Sequence, residues 1–253
     1  MRNPILVTGG TGTLGSVVVR RLLDAGQDVR VLSRRPGSTG ADREWATGDL
    51  RTGEGIDAAT SGVDVIVHCA TTLSSKDVAA TERLIGAARR NGEPHLIYIS
   101  IVGVDRVPLF YYRAKLEAEE SVMDSGLPWT ILRTTQFHDL VARTISVQRR
   151  SPVIATLAGV NFQPIDVRDV AARLAELATG GPAGRVPDMG GPEVRSHGDL
   201  ARAYLAATGR RRPVLPIRLP GAVVAGYRRG GHLAPDRAVG RVTFSDFLAE
   251  RGP

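Results

Sequence analysis

The sequence predicts an α/β fold, a doubly wound parallel sheet with a small C-terminal lobe. Three observations predict it. Short apolar runs alternate with helix-patterned stretches through the first half of the chain, the rhythm of βαβ units. The runs are apolar throughout rather than alternating, as strands covered on both faces are. The first run passes directly through a glycine-rich turn into a helix.

The elements follow in order. Pro4-Ile5-Leu6-Val7-Thr8 reads as a buried strand. Leu14 to Ala25 reads as a helix, with Leu14, Val18, Leu22 and Ala25 on one face and Gly26 as its C-terminal stop. Val29-Arg30-Val31-Leu32 is the second strand, and Trp45-Ala46 marks a third that ends at Gly48-Asp49-Leu50. Val63 to Ala70 is the fourth, followed by a helix from about Lys76 to Arg90 that Asn91-Gly92 closes. His95 to Ser100 is the fifth strand, a helix runs from about Tyr111 to Ser125, and Pro128 to Arg133 is the sixth strand.

The second half is less regular. Val153–Thr156 and Phe162–Ile165 look like short strands, and Asp166-Val167-Arg168-Asp169-Val170 opens a helix to about Ala178. Gly180-Gly181-Pro182 and Gly190-Gly191-Pro192 are turns. Ser196 caps a helix through Ala207, with Asp199 in its first turn. Apolar helical pieces surround Val223 and Phe247. No flexible linker separates the halves. The expected organisation is therefore one domain over 1–253, with a core over 1–135 and a lobe mainly over 136–253.

Composition narrows the class. The chain has 253 residues, 42% apolar and 23% charged, ordinary for a globular protein that buries its own core. A single cysteine, Cys69, excludes an intramolecular disulfide and a CxxC metal site. The apolar run after Arg2 is too short for a signal peptide, and no stretch is long enough to span a bilayer, so a cytoplasmic location and no membrane partner are expected. The net charge is +7, but the arginines are scattered in pairs, with Arg210-Arg211-Arg212 the one triplet. That distribution reads as surface cations rather than a phosphate-tracking face, so no nucleic-acid partner is expected.

The motif with chemical content is Thr8-Gly9-Gly10-Thr11-Gly12-Thr13-Leu14-Gly15. It follows a strand, opens a helix and begins a βαβ unit, the context of a Rossmann-type dinucleotide site. Gly9 permits the tight turn, Gly12 lets the backbone approach a pyrophosphate, and Gly15 lets the helix pack near the sheet. Amides at the helix start face the phosphates. Gly9, Thr11, Gly12, Thr13 and Leu14 are the expected cofactor contacts.

The second strand ends in Ser33-Arg34-Arg35. A site selecting NAD places a carboxylate there for the ribose 2′-hydroxyl. Two guanidinium groups instead suit a 2′-phosphate, so the expected cofactor is NADP(H). Asp49 is a candidate acceptor for the adenine amino group, with Leu50 beside it.

These segments, with Tyr98-Ile99-Ser100, Tyr111-Tyr112-Arg113-Ala114-Lys115, and Ile131-Leu132-Arg133 followed by Thr135-Gln136-Phe137, resemble the short-chain dehydrogenase/reductase superfamily. More narrowly the chain looks like its atypical, NmrA-like NAD(P)H-binding branch. The resemblance implies a Tyr111–Lys115 pair in the YxxxK spacing. The lysine would bind the nicotinamide ribose and tune the tyrosine, and the tyrosine would donate a proton as general acid. The spacing places both on one helix face. Adjacent Tyr112 is the alternative pocket-facing tyrosine. The superfamily's serine, just past the fifth strand, falls on Ile101, with Ser100 one place early.

Ligands bind at the carboxyl ends of strands in such sheets. Those ends supply Ala70, Thr71 and Thr72 for the cofactor, and Ile101, Val102, Gln136, Phe137 and His138 for a substrate. His68 and Cys69 read as core residues, and no metal constellation surrounds them. The expected function is an NADPH-dependent reductase of a small organic substrate: a carbonyl, quinone, imine or activated alkene. A non-catalytic NADP(H)-binding redox sensor is the alternative, and an isomerase or epimerase holding its cofactor tightly is the third. The resemblance also leaves a homodimer as a candidate assembly.

Overall fold

The first strand and its turn set the architecture. The computed structural model describes residues 3–37 and 43–251. In chain order these form β1 (Ile5–Thr8), α1 (Thr13–Asp24), β2 (Val29–Ser33), β3 (Arg43–Thr47), α2 (Ile56–Thr60), β4 (Val65–His68), α3 (Lys76–Arg90), β5 (His95–Ile101), α4 (Phe110–Met123) and β6 (Trp129–Thr134). There follow α5 (His138–Ser146), β7 (Ile154–Leu157), β8 (Asn161–Phe162), α6 (Val167–Thr179), β9 (Gly184–Arg185), β10 (Arg195–Ser196), α7 (His197–Ala207), β11 (Val214–Ile217), α8 (Ala222–Arg228) and α9 (Phe244–Ala249).

The main sheet is parallel, seven-stranded and ordered β3-β2-β1-β4-β5-β6-β9. β1 pairs on one side with β2, Val7 opposite Val31, and on the other with β4, Thr8 opposite His68. The strand order therefore reverses between β1 and β4, the point at which open α/β sheets bind ligands. The expected Rossmann-type α/β fold is the one observed.

Two compact units divide the chain. The first holds the described residues up to Ser100, with Phe110–Leu132 and Val170–Val186. Its core gathers Leu6, Ile66, Leu96 and Ile131 from the strands with Leu84 of α3 and Val122 of α4. Burying each such side chain contributes about 1.5–3 kcal/mol. In α1 the stripe Leu14, Val18 and Leu22 is buried, and Gly26 at φ 69° ends the helix where a side chain would be strained.

The second unit holds Ile101–Leu109, Arg133–Asp169 and the chain from Pro187. Phe244, Phe247 and Leu248 of α9 pack with Ile145 of α5, Ile154 of β7 and Leu200 of α7. β8 pairs antiparallel with β10, and β7 pairs parallel with β11. Ser196 caps α7 by accepting from the Asp199 amide, as its position in the sequence implied. Of the arginine triplet, Arg212 serves this unit internally: its guanidinium donates to the carbonyls of Gln148, Arg149 and Ser151, while Arg210 and Arg211 are exposed.

Several boundaries differ from the sequence reading. The fourth strand stops at His68, because the Cys69 amide bonds the Thr8 carbonyl and the Ala70 amide turns to the Thr8 hydroxyl. The strand expected over Phe162–Ile165 is only Asn161–Phe162. Gln163 leaves the ladder to donate its side chain to the carbonyls of Gly191 and Ala234. Helices α2 and α5 and strand β11 stand where no element was expected. No helix among the described residues is long and apolar enough to cross a membrane.

Candidate cofactor site and active site

The glycine turn has three different constraints. Gly9 sits at φ 66°, and a Cβ on it would lie 2.7 Å from the Ala70 backbone. A Cβ on Gly15 would lie 2.2 Å from the Gly9 carbonyl oxygen. Gly12 has only that oxygen nearby, at 3.2 Å, and its own amide donates to it at 2.9 Å. Helix α1 starts directly after Gly12 with no side-chain cap and no acidic residue in its first turn. Thr11, Gly12 and Thr13 are exposed, whereas the Leu14 side chain is buried and offers only its backbone. An open, uncapped helix start carries partial positive charge and free donors, so these residues fit a dinucleotide pyrophosphate.

At the end of β2, the Ser33 hydroxyl accepts from the Arg35 amide at 3.2 Å. Its proton stays available for an acceptor. Arg34 and Arg35 are both exposed. Gly37 lies flat on the Trp45 indole, where a Cβ would meet the ring at 2.1 Å. Asp49 organises the next turn: one carboxylate oxygen accepts from the Arg51 amide at 2.8 Å, the other from its guanidinium at 3.3 Å. The amide bond and the cation hold the Asp49 carboxyl below the usual range. Arg51 was not singled out in the sequence. Leu50 is buried.

Helix α4 separates its two tyrosines. Tyr112 is 4% exposed, whereas Tyr111 is half-buried and places its hydroxyl 2.9 Å from the Thr71 hydroxyl. Burial raises the Tyr111 pKa against the lowering influences of Lys115 and Thr71, so the phenol is protonated at neutral pH. Lys115 lies one turn on, buried, and donates to the Tyr98 hydroxyl at 3.0 Å and the Ile99 carbonyl at 2.8 Å. Burial lowers its pKa.

Asp77, in the first turn of α3, ties the Ala70–Thr72 loop together. Its carboxylate accepts from the Thr71 hydroxyl at 2.5 Å, and from the Thr72 amide and hydroxyl, each at 2.6 Å. Sequence pattern gave Asp77 no role. Its one signal was an acid in a first helical turn just after two threonines. A second chain lies behind it. Thr81 donates to the Asp77 carbonyl at 2.8 Å and faces His68 Nε2 at 3.1 Å, while His68 Nδ1 meets the Thr8 hydroxyl at 2.6 Å. Burial holds the His68 imidazole neutral, its pKa pushed down to about 3, and pushes the Cys69 thiol up to about 12.

The residues expected to meet a substrate are placed less openly. Ser100 is 2% exposed and its hydroxyl has no partner. Ile101 and Phe137 are partly exposed. Val102 and Gln136 are buried, and the Val102 amide bonds the Thr134 carbonyl. His138 is a correction. It is fully buried, lies beside the Phe244 and Phe247 rings, and its Nε2 meets the Val242 carbonyl at 2.9 Å. The imidazole caps the packing of α9 on α5 rather than lining an open rim. Among the described residues, no cluster of His, Cys, Asp and Glu is arranged to hold a metal ion.

Comparison with known proteins adds four findings. The model of a family described as NAD(P)H-binding matches residues 9–179. A (4-alkanoyl-5-oxo-2,5-dihydrofuran-3-yl)methyl phosphate reductase of Streptomyces griseus is 35% identical over 196 residues, covering 75% of this chain and 68% of that protein. An NAD(P)H azoreductase of Xenophilus azovorans is 31% identical over 213 residues, covering 81% and 74%. Among solved structures, the NADPH-dependent quinone oxidoreductase of Escherichia coli, complexed with NADPH, aligns with a TM-score of 0.85 at 19% identity over 98% of this chain and 99% of that one.

Proposed function

Because the chain belongs to the NAD(P)H-binding family, in the atypical, NmrA-like branch of the short-chain dehydrogenase/reductases, we propose that it is an NADPH-dependent reductase of a small organic acceptor: a carbonyl, quinone, imine or activated alkene. The observation that carries this reading is the protonated Tyr111 phenol, fixed at the end of β4 with the Lys115 cation one helical turn away. The reductase names of the two relatives support it.

The bound dihydronicotinamide would supply a hydride. The chain's own residues do the rest. Gly9, Thr11, Gly12, Thr13 and the Leu14 backbone receive the pyrophosphate at the α1 start. Ser33, Arg34 and Arg35 receive the 2′-phosphate, which is why NADPH is preferred. Lys115 offers its remaining donor to the nicotinamide ribose. Tyr111 holds the proton that the acceptor takes up as hydride arrives, which is general acid catalysis. Ala70 and Thr72 border the cofactor beside it.

One observation favours a second reading. Ser100 is buried and Ile101 carries no hydroxyl, so the serine of the usual reductase set is missing, as in a redox sensor that binds NADP(H) without turnover. The deciding experiment follows NADPH oxidation against quinones, aldehydes, enones, imines and azo compounds, with NADH in parallel. Turnover faster with NADPH supports the reductase. Tight binding with no turnover on any class supports the sensor.

A further inference from the structure

We propose that Thr71, anchored by Asp77, is a positioning residue that holds the Tyr111 hydroxyl where a serine past β5 would otherwise hold it. This role presupposes the reductase reading of the same site. The end of β5 brings no hydroxyl: Ser100 faces inward and the next residue is Ile101. The β4–α3 loop brings one, 2.9 Å from Tyr111.

Proton accounting fixes its direction. An ionised carboxylate only accepts, and Thr71 has a single hydroxyl proton. At 2.5 Å from Asp77 that proton is committed to the carboxylate, and the Leu73 amide also donates to the Thr71 oxygen at 3.0 Å. The donor in the Thr71–Tyr111 contact is therefore Tyr111. Its lone pairs point away from Thr71, and its torsion is set.

Asp77 can impose this because it is itself held. It is 3% exposed, its other oxygen accepts twice from Thr72, and its carbonyl accepts from Thr81. Charge-assisted bonds of this length to a buried carboxylate are the strong kind. They also keep Leu73 at φ 56°, a left-handed conformation that a leucine adopts only when its surroundings impose it.

The consequence appears when the substrate takes its proton. The Tyr111 O–H, which donates to Thr71 at rest, first turns from Thr71 to the acceptor. That O–H bond then breaks, its proton forms the new O–H or N–H bond on the acceptor, and the electron pair stays on the phenolate. Thr71 then rotates its own O–H from Asp77 to the phenolate. No proton leaves Thr71, and Asp77 keeps both bonds from Thr72. Water afterwards returns a proton to Tyr111. The charged and titratable groups facing Tyr111 are Lys115 on its own helix, Asp77 on α3 and Tyr98 on β5.

The test separates this role from the reaction. Tyr111 ionisation is read by phenolate absorbance, with Y111F as the blank, in wild type, T71V, T71S, D77N and the T71V/D77N double variant. Thermal unfolding verifies that each is folded. D77N removes a charge and also frees the Thr71 proton, because an asparagine amide donates to Thr71. In the T71V background it only removes the charge. The expected result is a D77N shift of the Tyr111 midpoint to lower pH that is larger by about one unit, a tenfold change, when Thr71 is present. T71V alone moves the midpoint up and T71S returns it. In turnover, T71V lowers kcat about tenfold to a hundredfold with the KM for NADPH nearly unchanged.

Equal D77N shifts in both backgrounds, or a T71V enzyme with wild-type kcat and midpoint, overturn the proposal. If D77N does not fold, the midpoints of T71V and T71S decide alone. A coupled titration in a protein that turns over no acceptor overturns the reductase reading and leaves the positioning standing. Turnover with an uncoupled titration does the reverse.

Discussion

The Lys115 ammonium lies 4.2 Å from the centre of the Tyr98 ring while donating to that residue's hydroxyl at 3.0 Å. A buried cation is tolerated only when its desolvation is offset. Here a π face, a phenol oxygen and the Ile99 carbonyl offset it together. A guanidinium would need five donors satisfied in the same space, which is the physical reason a lysine stands here in a chain whose one other lysine is Lys76. Tyr98→Phe keeps the ring and removes the hydroxyl. It should destabilise the fold by about 1–3 kcal/mol, the cost of leaving one buried charged donor unpaired. Urea unfolding measures it. Wild-type stability would mean that the ring alone suffices.

The three glycines of the turn should separate folding from binding. Gly15→Ala drives a methyl to 2.2 Å from the Gly9 carbonyl, so the turn must shift and stability should fall by about 2 kcal/mol or more. Gly12 has φ −85°, ordinary for any residue, and more room. Gly12→Ala should melt close to wild type yet bind NADPH about tenfold more weakly, because the methyl stands where the pyrophosphate approaches. Parallel melting curves and fluorescence titrations check both. Wild-type affinity in Gly12→Ala would remove the turn from the cofactor site.

Arg34→Glu should reverse the cofactor preference. It replaces a cation that a 2′-phosphate pairs with by a carboxylate that repels it. The NADPH dissociation constant should rise about tenfold or more, while that for NADH changes little, since NADH has no phosphate at this position. Equal changes for both cofactors would show that Arg34 acts on the loop and not on the phosphate.

What the sequence made legible follows from where periodicity is strong. β1, α1 and the turn between them were readable because an apolar run, three spaced glycines and a 3.6-residue stripe coincide within Ile5–Asp24. Helix α2 was not, because five residues are too few to show a period. Helix α5 was not, because it opens on a buried histidine behind Phe137 with no capping side chain. Strand β11 contains Pro216 and three exposed residues, which removes the strand pattern. At the site, YxxxK spacing identified α4 and pointed to Tyr111 with Tyr112 as the alternative, and the fold separated the two by burial. Asp77 was invisible for a deeper reason. Its role depends on a loop bending back on a helix start, and no spacing rule encodes that.

Acid should unfold the protein earlier than its carboxylates alone would allow. All five histidines are lowered from the ordinary value, each mainly by burial: His68 to about 3, His232 to about 4, and His95, His138 and His197 in the same direction. The unfolded chain takes up protons near pH 6.5, where the folded protein does not. Stability from these groups is therefore full above pH 6.5 and falls as pH drops towards the folded values, by about 1.4 kcal/mol per pH unit for each fully engaged histidine. His68 is the sharpest case. Thr81 gives its proton to the Asp77 carbonyl, so His68 Nε2 must donate to Thr81 and Nδ1 must accept from Thr8. An imidazolium has no lone pair for Thr8. The unfolding free energy, measured between pH 5 and 7, separates the histidines from Asp49, Asp105, Asp166, Asp199 and Asp246, whose carboxyls are all held below the ordinary carboxylate value. The slope should correspond to several protons, and His68→Gln should reduce it by about one. A flat profile would mean that these imidazoles titrate freely in the folded state.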